Sequence, residues 1–191
     1  MGDVAQLPLR GIAVLAALLA CLAGVTGCGG EGRPEVPAGF TEYRDGTYSF
    51  AHPSGWQRRE GKDERGRPTL MFVGPRLPSG ELDGQLHVGR IAGYGHDLDV
   101  QLGQFRGLAV MHRYRLTADR PMRIDGAAEA HRFEAAYEVQ DKNGARIPFT
   151  LLGLYALTDD GILLEFMLRS PRRGSAHSQL PVIFDSFHLN D

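Results

Sequence analysis

Three arginines and a histidine lie close together near the C-terminus, in the segment Arg169-Ser-Pro-Arg172-Arg173-Gly-Ser-Ala-His177. Guanidinium groups bind phosphate and carboxylate oxygens through paired N–H donors. The segment also precedes a predicted helix, whose free backbone amides favour an anion. Arg169, Arg172 and Arg173 are therefore candidate anion-binding residues, for lipid phosphates or for an acidic partner. A charged run of this kind is also typical of a solvated loop, and both interpretations stay open.

A second group combines His96, Asp97 and Asp99 with His87 on a neighbouring predicted strand. Imidazole nitrogens and carboxylate oxygens together form sites for transition metals. The spacing matches no recognised ligand pattern, and an aspartate at 97 or 99 is the ordinary cap or first-turn acid of a following helix. We therefore expect no metal site and no cofactor.

The other histidines are scattered, and none adjoins a serine in the Gly-x-Ser-x-Gly pattern of a nucleophile elbow; they are His52, His112, His131, His177 and His188. We therefore identify no catalytic residues and predict a non-enzymatic protein. An envelope-associated hydrolase is the alternative. A cleft that holds His and Asp side chains within hydrogen-bond distance would favour it.

The N-terminus has the three-part order of an export signal, with Arg10 in a weakly basic start, an apolar stretch from Ile12 to Ala23, and small residues up to Gly27. The stretch from Gly11 to Gly27 is shorter than the roughly 20 apolar residues that span a bilayer. We predict a signal peptide over residues 1–27, which is removed. A retained membrane anchor is the alternative.

Val25-Thr26-Gly27-Cys28 resembles the lipobox of bacterial lipoproteins, in which a small residue precedes a cysteine that is linked to diacylglycerol and becomes the new N-terminus. The resemblance implies that Cys28 is the lipidation site. Acyl chains such as palmitate would then hold the protein in the cell membrane on its extracytoplasmic face, and two or more chains give stable anchoring. The only other cysteine, Cys21, lies inside the leader. The mature chain therefore keeps no thiol for a disulfide, for catalysis or for a metal.

Residues 28–39 have the glycine, proline and charge content of a flexible linker. About 11 such residues have an r.m.s. reach of roughly 18 Å and a limit of about 35 Å. The domain that follows, residues 40–191, is therefore expected close to the lipid headgroups, and its length suits a single core. The formal net charge of the chain is -2 at pH 7, which gives no overall attraction to nucleic acid.

Alternating and continuous apolar runs, bounded by glycine turns, predict a mainly antiparallel β domain. Strands are predicted at 47–51, 55–59, 69–73, 85–92, 113–124 with or without a break at Pro121, 129–140, 146–158 and 162–169, the last three forming a meander. Asp45-Gly46, Asn143-Gly144 and Asp160-Gly161 are expected in two-residue hairpin turns, where glycine supplies a positive φ. Within the strand at 146–158, residues 149–157 are apolar on both faces, so we expect it to be central and covered on both sides.

Two amphipathic helices are predicted as the covers. The first follows Asp97 with apolar residues at Leu98, Leu102, Phe105, Leu108 and Met111, and the second has Leu180, Ile183, Phe184 and Phe187. Because Pro181 fits only the first turn of a helix, the second helix should begin near Ser178. The predicted fold class is α+β, an antiparallel sheet flanked by helices in an α/β/α sandwich.

Tyr48-Ser-Phe-Ala-His-Pro53-Ser-Gly-Trp56 resembles the opening of the PsbP-like fold, in which a hairpin of the form aromatic, x, aromatic leads to Pro-x-x-Trp. Phe184-Asp-Ser186-Phe187 is similar to the end of that fold, where a helix leads into a short strand. The resemblance covers roughly residues 40–190 and is greatest to the actinobacterial LpqN-type lipoproteins. It implies an accessory or partner-binding domain and offers no catalytic residues.

Together these features predict a membrane-anchored extracytoplasmic lipoprotein that acts as a non-enzymatic binding or assembly module. Membrane lipid is its first partner, through acylated Cys28. The second is expected to be an envelope protein or a hydrophobic ligand held between sheet and helix. An apolar cavity of several hundred Å³ would favour the hydrophobic ligand.

Overall fold

The computed structural model describes residues 35–190. The predicted signal peptide and Cys28 lie outside the described residues. The elements of the described part are β1 (Phe40–Arg44), β2 (Tyr48–Pro53), β3 (Gln57–Lys62), β4 (Pro68–Val73), β5 (Gln85–Ile91), α1 (Leu98–Met111), β6 (Arg115–Met122), β7 (Ala127–Gln140), β8 (Arg146–Thr158), β9 (Leu163–Pro171), a 3-10 helix (Ser175–Gln179), α2 (Leu180–Asp185) and β10 (His188–Leu189). In this range, no helix has the length and apolar character that crossing a membrane requires.

The strands form two antiparallel sheets. Seven strands have the order β3-β4-β5-β9-β8-β7-β6, and three have the order β1-β2-β10. The predicted α+β class is confirmed, and every predicted strand corresponds to one of β2 to β9. The prediction lacks the second sheet, because β10 has only two residues and β1 shows no clean alternation of buried and exposed positions.

One row of paired residues crosses the whole seven-stranded sheet; its members are Gln57, Val73, Gln85, Arg169, Leu151, Ala135 and Leu116. On one side of this row lie the 74–84 loop, the 141–145 turn, residues 171–174 and the C-terminus of α1. The start of β1 is on the same side, because Phe40 pairs with Pro53 and only residues 54–56 separate Pro53 from Gln57. We call this side of the domain the Phe40 end.

β8 is the central strand of the domain, as predicted. Leu154 is 1% exposed and Tyr155 is 3% exposed, and their side chains belong to different cores. Tyr155 packs with residues of α1. The opposite core joins Leu154 to residues of both the small sheet and α2. The cover on that face is therefore a sheet together with a helix, whereas the sequence analysis predicts a helix alone.

The buried stripe of α1 differs from the predicted one at its C-terminal half. Leu98, Leu102, Phe105 and Ala109 are buried, whereas Leu108 is 49% exposed and Met111 is 67% exposed. A stripe that continues through Ala109 at helical spacing turns positions 108 and 111 away from the sheet. Asp97 is the N-cap residue, but its side chain makes no capping hydrogen bond.

The three predicted hairpin turns need correction. Gly144 and Gly161 have the predicted positive φ, and Gly46 does not. The turns at Gly144 and Gly161 close three-residue loops instead of two-residue ones, with Asp141 N–H donating to the carbonyl of Ala145 in the first.

Proline positions agree better with the sequence. Pro121 does not break β6, because β6 is an edge strand and a missing N–H is tolerated there. Pro181 lies in the first turn of α2, which begins at Leu180 directly after the 3-10 helix. The predicted start near Ser178 therefore falls inside the 3-10 helix.

Replacing Leu154 with alanine is expected to lower the free energy of unfolding by about 2 to 5 kcal/mol, because it opens a cavity in a closed core. The matched control is Leu108→Ala, for which the exposed site predicts a change within about 0.5 kcal/mol. Denaturant titration of both variants measures the difference. Equal losses at the two sites would contradict the central position of β8.

Candidate anion-binding cleft

A cleft with a volume of about 480 Å³ lies at the Phe40 end, where β6, β7 and β8 pass the C-terminus of α1. Four arginines line it, namely Arg113, Arg115, Arg146 and Arg172. His112 adds an imidazole to the same wall. All five side chains belong to solvent-exposed residues, so their charged groups are available to a ligand.

The ends of four elements bring the arginines together. Arg113 follows α1 in the left-handed region, with φ 58, and this bend lets Arg115 start β6 in the next layer. Arg146 is the first residue of β8. Arg172 follows β9, and its backbone N–H donates to the carbonyl of Pro148 at 2.8 Å. Antiparallel pairing of β6 to β9 thus fixes their arginines at one end of the sheet.

The cleft is strongly cationic. Glu138 is the only carboxylate in its lining, and it pairs with Arg146 at 3.4 Å. Within residues 35–190, no carboxylate lies within 4.0 Å of Arg113, Arg115 or Arg172 in an ion pair. The C-terminus of α1 supplies about half a negative charge, which offsets only part of the excess. An anion is the natural complement of this surface.

Two aromatic residues, Tyr137 and Phe149, belong to the cleft lining, and Phe149 is only 4% exposed. The rings of Tyr137 and Phe149 are 5.4 Å apart, and those of Tyr114 and Tyr137 are 4.5 Å apart. Burial raises the pKa of Tyr137, while the charge of Arg169 opposes this shift. Tyr137 therefore stays neutral at physiological pH and adds no negative charge to the cleft.

A smaller hollow of about 270 Å³ adjoins the cleft along β8, lined by Gln85, His87, Leu151, Met167 and Arg169. Leu151 is the next residue after Phe149 on the same face of the strand. Arg169 donates from Nε and Nη2 to Oε1 of Gln85, at 3.0 and 2.6 Å. One side chain of the predicted cluster is thus already held by an amide oxygen.

The predicted anion-binding residues separate in the structure. Arg172 lines the cleft, Arg169 lines the hollow, and Arg173 is exposed and lines neither. Arg113, Arg115 and Arg146 are absent from the prediction, because they are distant from Arg172 in the sequence. The predicted meander contained a usable signal, since antiparallel strands that start or end at one side of a sheet bring such termini together. Anion binding by these residues stays a prediction.

His131 and Asp119 meet the criterion set for the hydrolase alternative, since His131 Nε2 lies 2.6 Å from Asp119 Oδ1. Arg106 also donates two hydrogen bonds to Asp119, at 2.7 and 3.0 Å, and these lower the pKa of Asp119. The three residues lie on β7, β6 and α1. Their contacts fasten α1 to the edge of the sheet.

A cavity of about 580 Å³ beside this ion-pair network has a mixed lining, with apolar residues Leu98, Leu102, Met122 and Ile124 and polar residues Asp99, Arg123, Glu129 and His131. No serine, threonine or cysteine is part of this lining in the described part of the chain. The cavity has the size that would favour a hydrophobic ligand. Such a ligand stays a prediction.

A serine–histidine pair occurs between the small sheet and the C-terminus. Ser49 Oγ lies 2.7 Å from His188 Nε2 and 2.7 Å from Asn190 Oδ1, and His188 Nδ1 lies 3.0 Å from the carbonyl of Ser186. Ser49 is 0% exposed, so no substrate reaches its hydroxyl in this structure. The pair ties β10 to β2.

The residues considered as metal ligands do not form a cluster. His87 lines the hollow, and Asp97 occupies the N-cap position of α1. Among residues 35–190, no three His, Cys, Asp or Glu side chains are placed to hold a metal ion together.

The pKa of His87 depends on its surroundings in the hollow. Burial lowers this pKa most, and the positive charge of Arg169 lowers it further. Folding therefore favours neutral His87, and its contribution to stability falls as the pH drops below the ordinary value of about 6.5. Arg169→Gln is expected to raise the pKa of His87 part of the way back, as measured by NMR titration. Arg173→Gln, which removes a charge outside the hollow, is the control. Equal pKa values in the wild type and Arg169→Gln would contradict the described packing.

Comparison with solved structures identifies the fold. Cyanobacterial PsbP (CyanoP) from Synechocystis sp. PCC 6803 is similar at 21% identity with a TM-score of 0.50, over 87% of this chain and 99% of that chain. The Saccharomyces cerevisiae Ran-binding protein Mog1p is similar at 14% identity and a TM-score of 0.49, over 80% and 96%. LpqN of Mycobacterium tuberculosis, involved in cell envelope biogenesis, is similar at 12% identity and a TM-score of 0.48, over 80% and 91%. No family model and no curated protein sequence matches the chain. The similarity to CyanoP shows that the described domain has the PsbP-like fold, as its sequence predicts.

Proposed function

We propose that this chain is a lipid-anchored envelope protein whose PsbP-like domain is a non-enzymatic binding module for an anionic ligand. The observation that carries the proposal is the convergence of four arginines on a cleft with a single carboxylate. The lipobox and the short linker support the anchor, because they would hold the domain next to the membrane surface.

Electrostatic repulsion makes this arrangement costly without a ligand. Two cations about 8 Å apart in water repel by roughly 0.5 kcal/mol, and each added arginine repels all the others. Some exposed arginines outside the cleft, such as Arg65 and Arg90, also form no ion pair in the described residues, but the four cleft arginines share one lining. An anion in the cleft removes the repulsion and accepts paired N–H donors, so binding is the role that explains the cluster.

The chemistry of the cleft also limits the ligand. Several guanidinium groups supply more donors than one carboxylate can accept, which favours a phosphate or another group with several anionic oxygens. The preferred ligand therefore carries a phosphate-like group.

Replacing Arg113, Arg115, Arg146 and Arg172 together with glutamine is expected to abolish binding of pyrophosphate to the full chain, measured by isothermal titration calorimetry. The control replaces Arg65, Arg90, Arg120 and Arg123, which are exposed and lie away from the cleft. Because both variants lose the same charge, only a local effect separates them. Equal affinities in the two variants would contradict the cleft as the site.

Cys28→Ser is expected to abolish incorporation of labelled fatty acid in a bacterial host, because the acylated sulfur is lost. The control is Cys21→Ser, in which the leader changes and Cys28 remains. Gel analysis of the labelled proteins measures both. Continued labelling of Cys28→Ser would refute the lipid anchor.

A further inference from the structure

We propose that the anion bound in the cleft is the phosphate group of an anionic phospholipid, in the same membrane that holds the lipid anchor. The domain then stands with its Phe40 end on the bilayer. This inference rests on the proposed function and adds to it the identity of the ligand and the orientation of the domain.

The first argument is geometric. The linker joins the domain at Phe40, on the same side of the crossing row as the cleft. Seven strands at a spacing of about 4.8 Å extend over roughly 29 Å from Gln57 to Leu116. Arg115, the residue before Leu116 in the sequence, lies on the Phe40 side of it. A linker with a limit of about 35 Å therefore allows the anchor and the cleft to reach one bilayer together.

The second argument is the distribution of charge between the two ends of the large sheet. Outside the cleft, the Phe40 end carries Arg76, Lys142, Arg169 and Arg173 together with Glu81, Asp83 and Asp141, so that with the cleft arginines its cations are in excess. Carboxylates outnumber cations in the turns at the opposite end, where Arg65, Arg67 and Arg123 accompany Asp63, Glu64, Asp97, Asp125, Asp159 and Asp160. An anionic membrane attracts the first end and repels the second, so it orients the domain as the linker does.

The third argument concerns distance and local concentration. Attraction to a charged surface falls off within a Debye length, roughly 8 Å at physiological ionic strength, so only groups held at the headgroups contribute. A tether that starts at the Phe40 end, with an r.m.s. reach of roughly 18 Å, lets the cleft enter that zone and makes lipid binding effectively intramolecular.

The test uses the full chain, purified from membranes and reconstituted into vesicles of phosphatidylcholine alone or with phosphatidylglycerol. Hydrogen exchange of backbone amides is the readout. With phosphatidylglycerol, exchange is expected to slow several-fold in residues 112–116, 138–148 and 170–174, and to stay unchanged in the turns at 63–67 and 158–162. The four-arginine cleft variant should lose this protection, and the control variant at Arg65, Arg90, Arg120 and Arg123 should keep it.

A third sample, phosphatidylcholine vesicles with added pyrophosphate, separates the lipid from a free phosphate ligand. Protection of the cleft by pyrophosphate but not by phosphatidylglycerol would overturn the lipid assignment and leave the proposed function intact. Protection of the opposite end would overturn the orientation. Equal pyrophosphate affinities of the cleft variant and the control variant in the calorimetric titration would instead refute the proposed function itself, and the lipid assignment with it.

Discussion

The double-sided burial of β8 is the constraint on which the domain depends. Its apolar residues face two separate cores, with α1 over one face and the small sheet with α2 over the other. At Gly153 the ring of Phe133 lies so close that an added Cβ would be 2.0 Å from its carbon atoms. The ring of Phe133, the partner of Gly153 on β7, therefore fills the space that a side chain at Gly153 would occupy. Three layers follow from this strand, and its antiparallel neighbours bring the ends of β6 to β9 together at the cleft.

The sequence predicts this constraint well because it is local. Apolar character on both faces over residues 149–157 and alternation of apolar and charged residues over 132–139 are both visible in single segments, and the structure has β8 and β7 there. The second sheet is not visible in this way, since all six residues of β2 are buried and such a run does not show which strands it pairs with. The predicted α1 stripe is wrong at Leu108 and Met111, because the buried stripe runs through Ala109 and helical spacing then turns positions 108 and 111 away from the sheet.

The candidate site was predictable only in part. Arg172 emerged from a run of charges, whereas Arg113 and Arg115 follow a helix and Arg146 begins a strand. Their proximity depends on strand order, which periodicity does not reveal. Arg169 shows the same limit of prediction from sequence. It belongs to the predicted cluster, yet its guanidinium is held by Gln85 from a strand 84 residues away in sequence. The local charge run therefore pointed to one end of the sheet. It did not show which of its arginines remain available to a ligand.

The hydrogen bonds of the polar groups inside the fold bear on the choice between a binding role and a catalytic one. Asp119, His131 and Arg106 satisfy one another between helix and sheet, and Ser49 is held by His188 and Asn190 behind a closed surface. These groups resemble catalytic sets in composition, but their hydrogen bonds join elements of the domain. A catalytic base must instead reach a proton on a bound substrate. Three of the four cleft arginines, Arg113, Arg115 and Arg172, have no carboxylate partner among residues 35–190, and all four residues are exposed. The charged groups of the cleft are therefore available to a ligand.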